Sequence, residues 1–163
     1  IHSYERVCDA AGVHAGLVDI ASFNQVNAVL AARPFSGDWL LVNIAPDYAT
    51  LVVVRDDHVI FFRNRSTGGI GDLPDLVHQT AMYHEDRLGG KQFARVWLRG
   101  GTPVGTNAEI ARDEISDRLG MQAEVVDIRP GAELRDRMHA SLDVLDILAA
   151  PVGLLLRDRK AAA

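Results

Sequence analysis

A single cysteine, Cys8, stands in 163 residues. It excludes an internal disulfide and any cysteine cluster for zinc, and a reducing, cytoplasmic compartment is the natural expectation. A surplus of positive charge is also missing. The 17 Lys and Arg against 22 Asp and Glu leave a net charge of −5, whereas a general nucleic-acid binder shows a basic surface. Long apolar runs are absent too. None approaches the roughly 20 residues that span a bilayer, and the longest, LDVLDILAAPVGLLL, is broken by two aspartates and a proline. The six histidines show no metal-ligand spacing: His84-Glu85 lacks the second histidine of HExxH. The chain opens on Ile1 rather than Met and carries no signal-peptide pattern, which suggests a piece of a longer protein.

What is present suits one soluble globular domain. Hydrophobic residues at 48% can fill a core of this size, and 24% charged residues can cover it. YERVCDAAG reads as a helix end stopped at Gly12, HAGLVDI as a short strand, and ASFNQVNAVLAARP as a helix with Ser22 as N-cap. Three β-rich runs follow over 39–45, 49–56 and 59–64, separated by PDY and DDH. Connections so short demand antiparallel neighbours, because a parallel return needs a longer crossover. LPDLVHQTAMYHEDRL places Leu73, Leu76, Val77, Ala81 and Leu88 at helical spacing, with Gly89 and Gly90 as the stop. ARVWLRG reads as a strand buried on both faces. NAEIARDEISDRLG reads as a helix burying Ile110, Ile115 and Leu119, and QAEVVDI as a strand. The tail has a helical pattern through Leu134, Met138, Leu142, Leu145 and Leu148, followed by PVGLLLRDR. No repeat or low-complexity linker interrupts it.

Three antiparallel strands followed by alternating helices and strands resemble the order of the ribonuclease H-like fold, which actin-like ATPases use twice. Four segments, in the right order from about Tyr4 to Arg157, resemble the family of the type IV pilus assembly protein PilM: AGVHAGLVDIASFNQVNAVLAA, LLVNIAPDYATLVVVRDDHVIFFRNRSTGG, RVWLRGGT and the closing PVGLLLR. The resemblance implies an α/β lobe with a mixed sheet, an antiparallel three-stranded start and helices on both faces. The matched family has two lobes, and this chain resembles the second. Residues 1–36 are then a crossing helix-strand-helix segment from a preceding lobe, and 37–163 the lobe itself. A small insertion that the family carries before the GG strand is replaced here by the single helix DLVHQTAMYHEDRLGG.

The resemblance also implies where nucleotide chemistry would sit. An actin-like phosphate loop needs an aspartate to hold Mg²⁺ through water and glycines that let backbone N–H groups approach phosphate. In NIAPDYAT, Asn43 stands at the aspartate position, Ala45 at the first glycine and Ala49 before Thr50. An amide brings no charge to a hard cation, each alanine adds a Cβ, and Pro46 removes a donor; Asp47 compensates only if the turn aims it inward. The nucleoside end corresponds to Gly100, Gly101 and Thr102 after the RVWLR strand. The bland reading is a Pro-Asp hairpin turn plus glycines for close packing. STGGIGD before a helix suits an anion, though it lacks the Lys-Ser/Thr ending of a P-loop. A two-metal nuclease requires converging carboxylates, and the first strand offers none at its centre.

These readings lead to one expectation: a PilM-like, non-catalytic cytoplasmic scaffold of a type IV pilus or related secretion machine. It needs no cofactor, docks a PilN-type inner-membrane partner, binds no nucleic acid and does not enter the bilayer; a homo-oligomer is left open. Asn43, Ala45, Thr50, Gly100, Gly101 and Thr102 then form a vestigial nucleotide site. The alternative is an ATP-binding actin-like protein, using Mg-ATP, whose first lobe lies outside this chain. A scaffold domain resembling GspL of type II secretion is a third reading.

Overall fold

In the computed structural model, which describes residues 1–32, 36–67, 72–100, 108–132 and 140–161, every residue of WLLVNI is buried. That run is β1 (Trp39–Ile44), the centre of a five-stranded sheet. β2 (Tyr48–Arg55) and β3 (His58–Ser66) complete an antiparallel meander on one side of it. β4 (Arg95–Gly100) lies parallel to β1 on the other side and β5 (Ala123–Val125) parallel to β4. The spatial order is therefore β3-β2-β1-β4-β5.

Alternation along β1 sends its side chains to two cores. Leu40, Val42 and Ile44 join Leu51 and Val53 beneath α3 (Leu73–Leu88) and α4 (Ala108–Leu119). Trp39 and Leu41 join Val52 and Val54 beneath α2 (Ala21–Ala32) and α5 (Leu142–Ala161). Helices thus cover both faces, and β1 needs apolar side chains in both directions. α1 (His2–Ala10) precedes this sandwich with no buried residue.

The turns are set by local chemistry. Asp56 and Asp57 have φ of +46° and +64°, the pair of left-handed residues that a tight β2–β3 hairpin of matching twist requires. At the end of α3, Gly89 takes φ +62° and the Gly90 N–H donates to His84 O at 3.0 Å, a left-handed glycine stop.

Four sequence expectations need correction. HAGLVDI forms no strand: Leu17, Val18 and Ile20 are 61%, 54% and 48% exposed, and β-propensity without a neighbouring ladder does not make a strand. Ser22 lies inside α2, which starts one residue earlier: the Ile20 carbonyl just before the helix already accepts from Phe23 N at 2.9 Å. Ile110 is half-exposed while Ala111 and Ile115 are buried, because the stripe of α4 runs at i, i+4 through Ala111. QAEVVDI yields a strand of only three residues. The run LDVLDILAAPVGLLL is helical as read, and α5 continues through Pro151. A proline there forfeits one helical bond, and packing of Leu145, Ala149 and Gly153 against α2 holds the two halves in line. Leu134 and Met138 lie outside the described residues.

Candidate functional site

Of the residues expected to face a nucleotide, Asn43 and Thr50 lie on the sheet face covered by α2 and α5, and Ala45 and Gly100 stand at the C-terminal ends of β1 and β4. Asn43 opposes Thr50 across the β1–β2 pair and Arg99 across the β1–β4 pair. All three project to the same side of the sheet, and both Asn43 and Thr50 are buried. Thr50 Oγ1 accepts from Asn64 Nδ2 at 2.8 Å. Asn43 Oδ1 accepts from Arg99 Nη1 at 3.1 Å and from Gln25 Nε2 at 3.4 Å.

Two neighbours complete the cluster, and neither is suggested by the sequence. Arg99 Nε donates to the Asp146 carbonyl at 3.3 Å and lies 3.7 Å from its carboxylate. That carboxylate, on α5 and 4% exposed, accepts the Gly100 N–H with both oxygens, at 3.1 and 3.0 Å. A buried carboxylate needs such donors to be tolerated.

The geometry around the strand ends is tight. Gly100 has φ +84°, and a Cβ there would meet Ile44 O at 1.9 Å, so only glycine fits the turn away from β4. The Ala45 N–H is spent within the hairpin, donating to Tyr48 O at 2.9 Å. Asp47 is exposed, does not turn inward, and accepts Thr67 N–H on its carbonyl at 3.0 Å. Gly101 and Thr102 lie outside the described residues, as do 68–71 of the STGGIGD loop. Asn24 Oδ1 and Gln25 Oε1 are buried with no hydrogen-bond partner among the described residues. Gln25 thus adds a spare acceptor beside Asn43, and Arg99, the cation among the described residues of the cluster, is already opposed by Asp146. Among the described residues no group of three His, Cys, Asp or Glu is placed to hold a metal ion.

A second polar cluster lies at the opposite end of the sheet. Asp38, just before β1, accepts from Arg55 Nε at 2.8 Å and Arg55 Nη2 at 2.6 Å. Its Oδ2 also accepts from His84 Nε2 at 2.5 Å; a carboxylate can only accept, so that nitrogen carries the proton. The Arg55 guanidinium, followed by His84, holds the Asp38 carboxyl below its ordinary range against the opposing effect of burial. Arg55 also donates to Leu88 O at 3.1 Å. The His84 ring is fully buried and stacks on Phe93, with ring centroids 4.4 Å apart. A Cβ on Gly90 would fall 2.0 Å from His84 Nε2. This cluster fastens the end of α3 to the start of β1, the structural role expected for a histidine without metal spacing.

The architecture is that of an actin-like ATPase, or ribonuclease H-like, lobe. One similar solved structure is the PilM–PilN type IV pilus biogenesis complex, with TM-score 0.70 and 17% identity over 90% of this chain and 54% of that one. Another is the ethanolamine utilization protein EutJ from Carboxydothermus hydrogenoformans, with TM-score 0.55 and 17% identity over 95% of this chain and 60% of that one. A third is a Bacteroides thetaiotaomicron protein with an actin-like ATPase fold, with TM-score 0.52 and 12% identity over 84% and 44%. The chain spans about half the length of these neighbours. No family model matches the sequence, and no curated protein does either.

Proposed function

We propose that this chain is a PilM-like scaffold, which works by holding partners and turns over no nucleotide. One observation carries the reading. The guanidinium of Arg99 sits against Asn43, where the resemblance places the aspartate that would hold Mg²⁺, and Asp146 balances its charge. A cation built into the chain stands near the place of the one a nucleotide would bring. The spare acceptor of Gln25, beside Asn43, suits a donor rather than a polyanion.

In this reading the chain serves a type IV pilus or related secretion machine in the bacterial cytoplasm. It is peripheral to the inner membrane through the short cytoplasmic peptide of a PilN-type protein. No helix of the described residues is long and apolar enough to cross a membrane. Residues 1–36 are proposed to connect to a neighbouring lobe: Tyr4, Val7, Val13 and Leu17 are all more than half exposed, an arrangement that favours a covering partner. Titration with the cytoplasmic peptides of inner-membrane pilus and secretion proteins tests the scaffold. Saturable binding of a PilN-type peptide is expected, and failure of all of them to bind overturns it.

A second reading, binding of Mg-ATP together with a first lobe, draws on the left-handed turn at Gly100, which keeps the strand end free of side chain. It requires a rise in melting temperature at saturating Mg-ATP, because a ligand bound to the native state alone must stabilise it. An unchanged melting temperature in the two-lobed protein rules it out.

A further inference from the structure

β3 is the outer strand of the sheet and offers a long backbone edge. Among the described residues no strand pairs with its far side over His58–Ser66. The pairing with β2 slips between Val53 and Val54, leaving Ile60 as a bulge, and runs regularly from Phe61 to Ser66. A row of N–H and C=O groups on such a strand is a template for an added strand.

The two faces of that edge differ in chemistry. Toward α2 it presents Val59 and Phe62, 40% and 39% exposed, with Phe62 edge-on to Phe23 at 5.4 Å between centroids. Toward α3 it presents Arg63 and Arg65, since Arg63 opposes Leu51 and Arg65 opposes Ala49 of that core. Arg63 reaches only the neutral Gln79 Oε1, at 3.4 Å. Arg65 has no partner among the described residues. Both line a cavity of about 310 Å³ with the hydroxyl-bearing Ser66 and Thr67. Two carboxylates stand at its rim, Asp72 and Asp75, and Arg118 engages Asp75.

We propose that β3 docks an extended, amphipathic acidic segment of another protein as a sixth strand. Apolar side chains of the incoming strand pack on Val59 and Phe62, and alternate carboxylates enter the cavity beside Arg63 and Arg65. Residues two apart on a strand share a face, so an alternating apolar–acidic sequence matches both faces at once. A second copy of this chain is a poor occupant, because its own edge would bring the same arginines into opposition. The inference does not rest on the pilus reading; the surface fits such a segment whatever assembly the chain serves.

The probe is a fluorescein-labelled octapeptide alternating valine and glutamate, followed by anisotropy. Controls replace glutamate with lysine, or methylate alternate backbone nitrogens to remove donors. Saturable binding of the glutamate peptide is expected, with exchange protection at the amides of β3. Arg63→Glu/Arg65→Glu should weaken it by at least about tenfold, and Arg63→Gln/Arg65→Gln, a milder pair, by less; circular dichroism melts confirm that both fold. No binding, equal binding of the lysine peptide, or undiminished binding of the methylated peptide overturns the proposal. The last of these would show a plain anion site. A dimer formed through β3 by sedimentation, with no peptide binding, overturns it in favour of self-association.

Discussion

Arg99 and Asn43 are partners across the parallel β1–β4 ladder, and Arg99 folds back to place Nη1 3.1 Å from Asn43 Oδ1. The same guanidinium lies beside the buried carboxylate of Asp146. Replacing Arg99 with Met removes the charge and the donors while keeping most of the volume. Asp146 then keeps the Gly100 N–H but loses its neighbouring cation, and Asn43 loses a donor. We expect a loss of about 1–3 kcal/mol, the cost of under-satisfied buried polar groups, measured by urea denaturation. A stability unchanged within error would mean that the pair does not hold the strand ends together.

Acid should loosen the other end of the sheet. Asp38 is held below its ordinary carboxyl range, chiefly by Arg55 and then by His84. A group whose folded value is depressed stabilises the protein fully above its unfolded value of about 4 and loses that contribution as pH falls toward the folded value. Stability should therefore fall below about pH 4 in the native protein. Asp38→Asn should be less stable at neutral pH and show a flatter acid limb. Denaturation midpoints measured from pH 6 down to pH 2 check both slopes, and parallel limbs would contradict the assignment.

Helices α2 and α5 approach so closely that a Cβ on Gly153 would stand 1.6 Å from Asn24 O. Gly153→Ala gains helix propensity of about 1 kcal/mol, yet must push the helices apart. The steric term is expected to win, with a net loss of about 1–3 kcal/mol. A melting temperature equal to or above that of the native chain would show that α5 can slide to make room.

The β2–β3 turn offers the opposite sign. Asp57 holds φ +64°, a region costing a non-glycine residue about 1 kcal/mol, partly eased for aspartate. Asp57→Gly relieves that strain while loosening the unfolded chain. A net gain of about 0.5 kcal/mol is expected, visible as a small rise in melting temperature; a fall would locate the aspartate side chain in an interaction that supports the hairpin.

Periodicity and turn chemistry in the sequence alone determined the three-strand meander, the parallel β4, the amphipathic α3 and its glycine stop. Those features rest on interactions between neighbours in sequence, or on one strand's need to be apolar toward two cores. HAGLVDI misled because a strand exists only where another strand accepts its hydrogen bonds, which no local pattern records. Asn43, Thr50 and Gly100 were singled out through the resemblance, and the sheet sets them near one another. Only the tertiary structure decided that Arg99 and Asp146, 47 positions apart, meet there, and that Asp38 joins His84 across 46. Charges that distant in sequence carry no spacing signal. They are tolerated inside because the fold brings each a partner, and that pairing is a property of the packed sheet and helices.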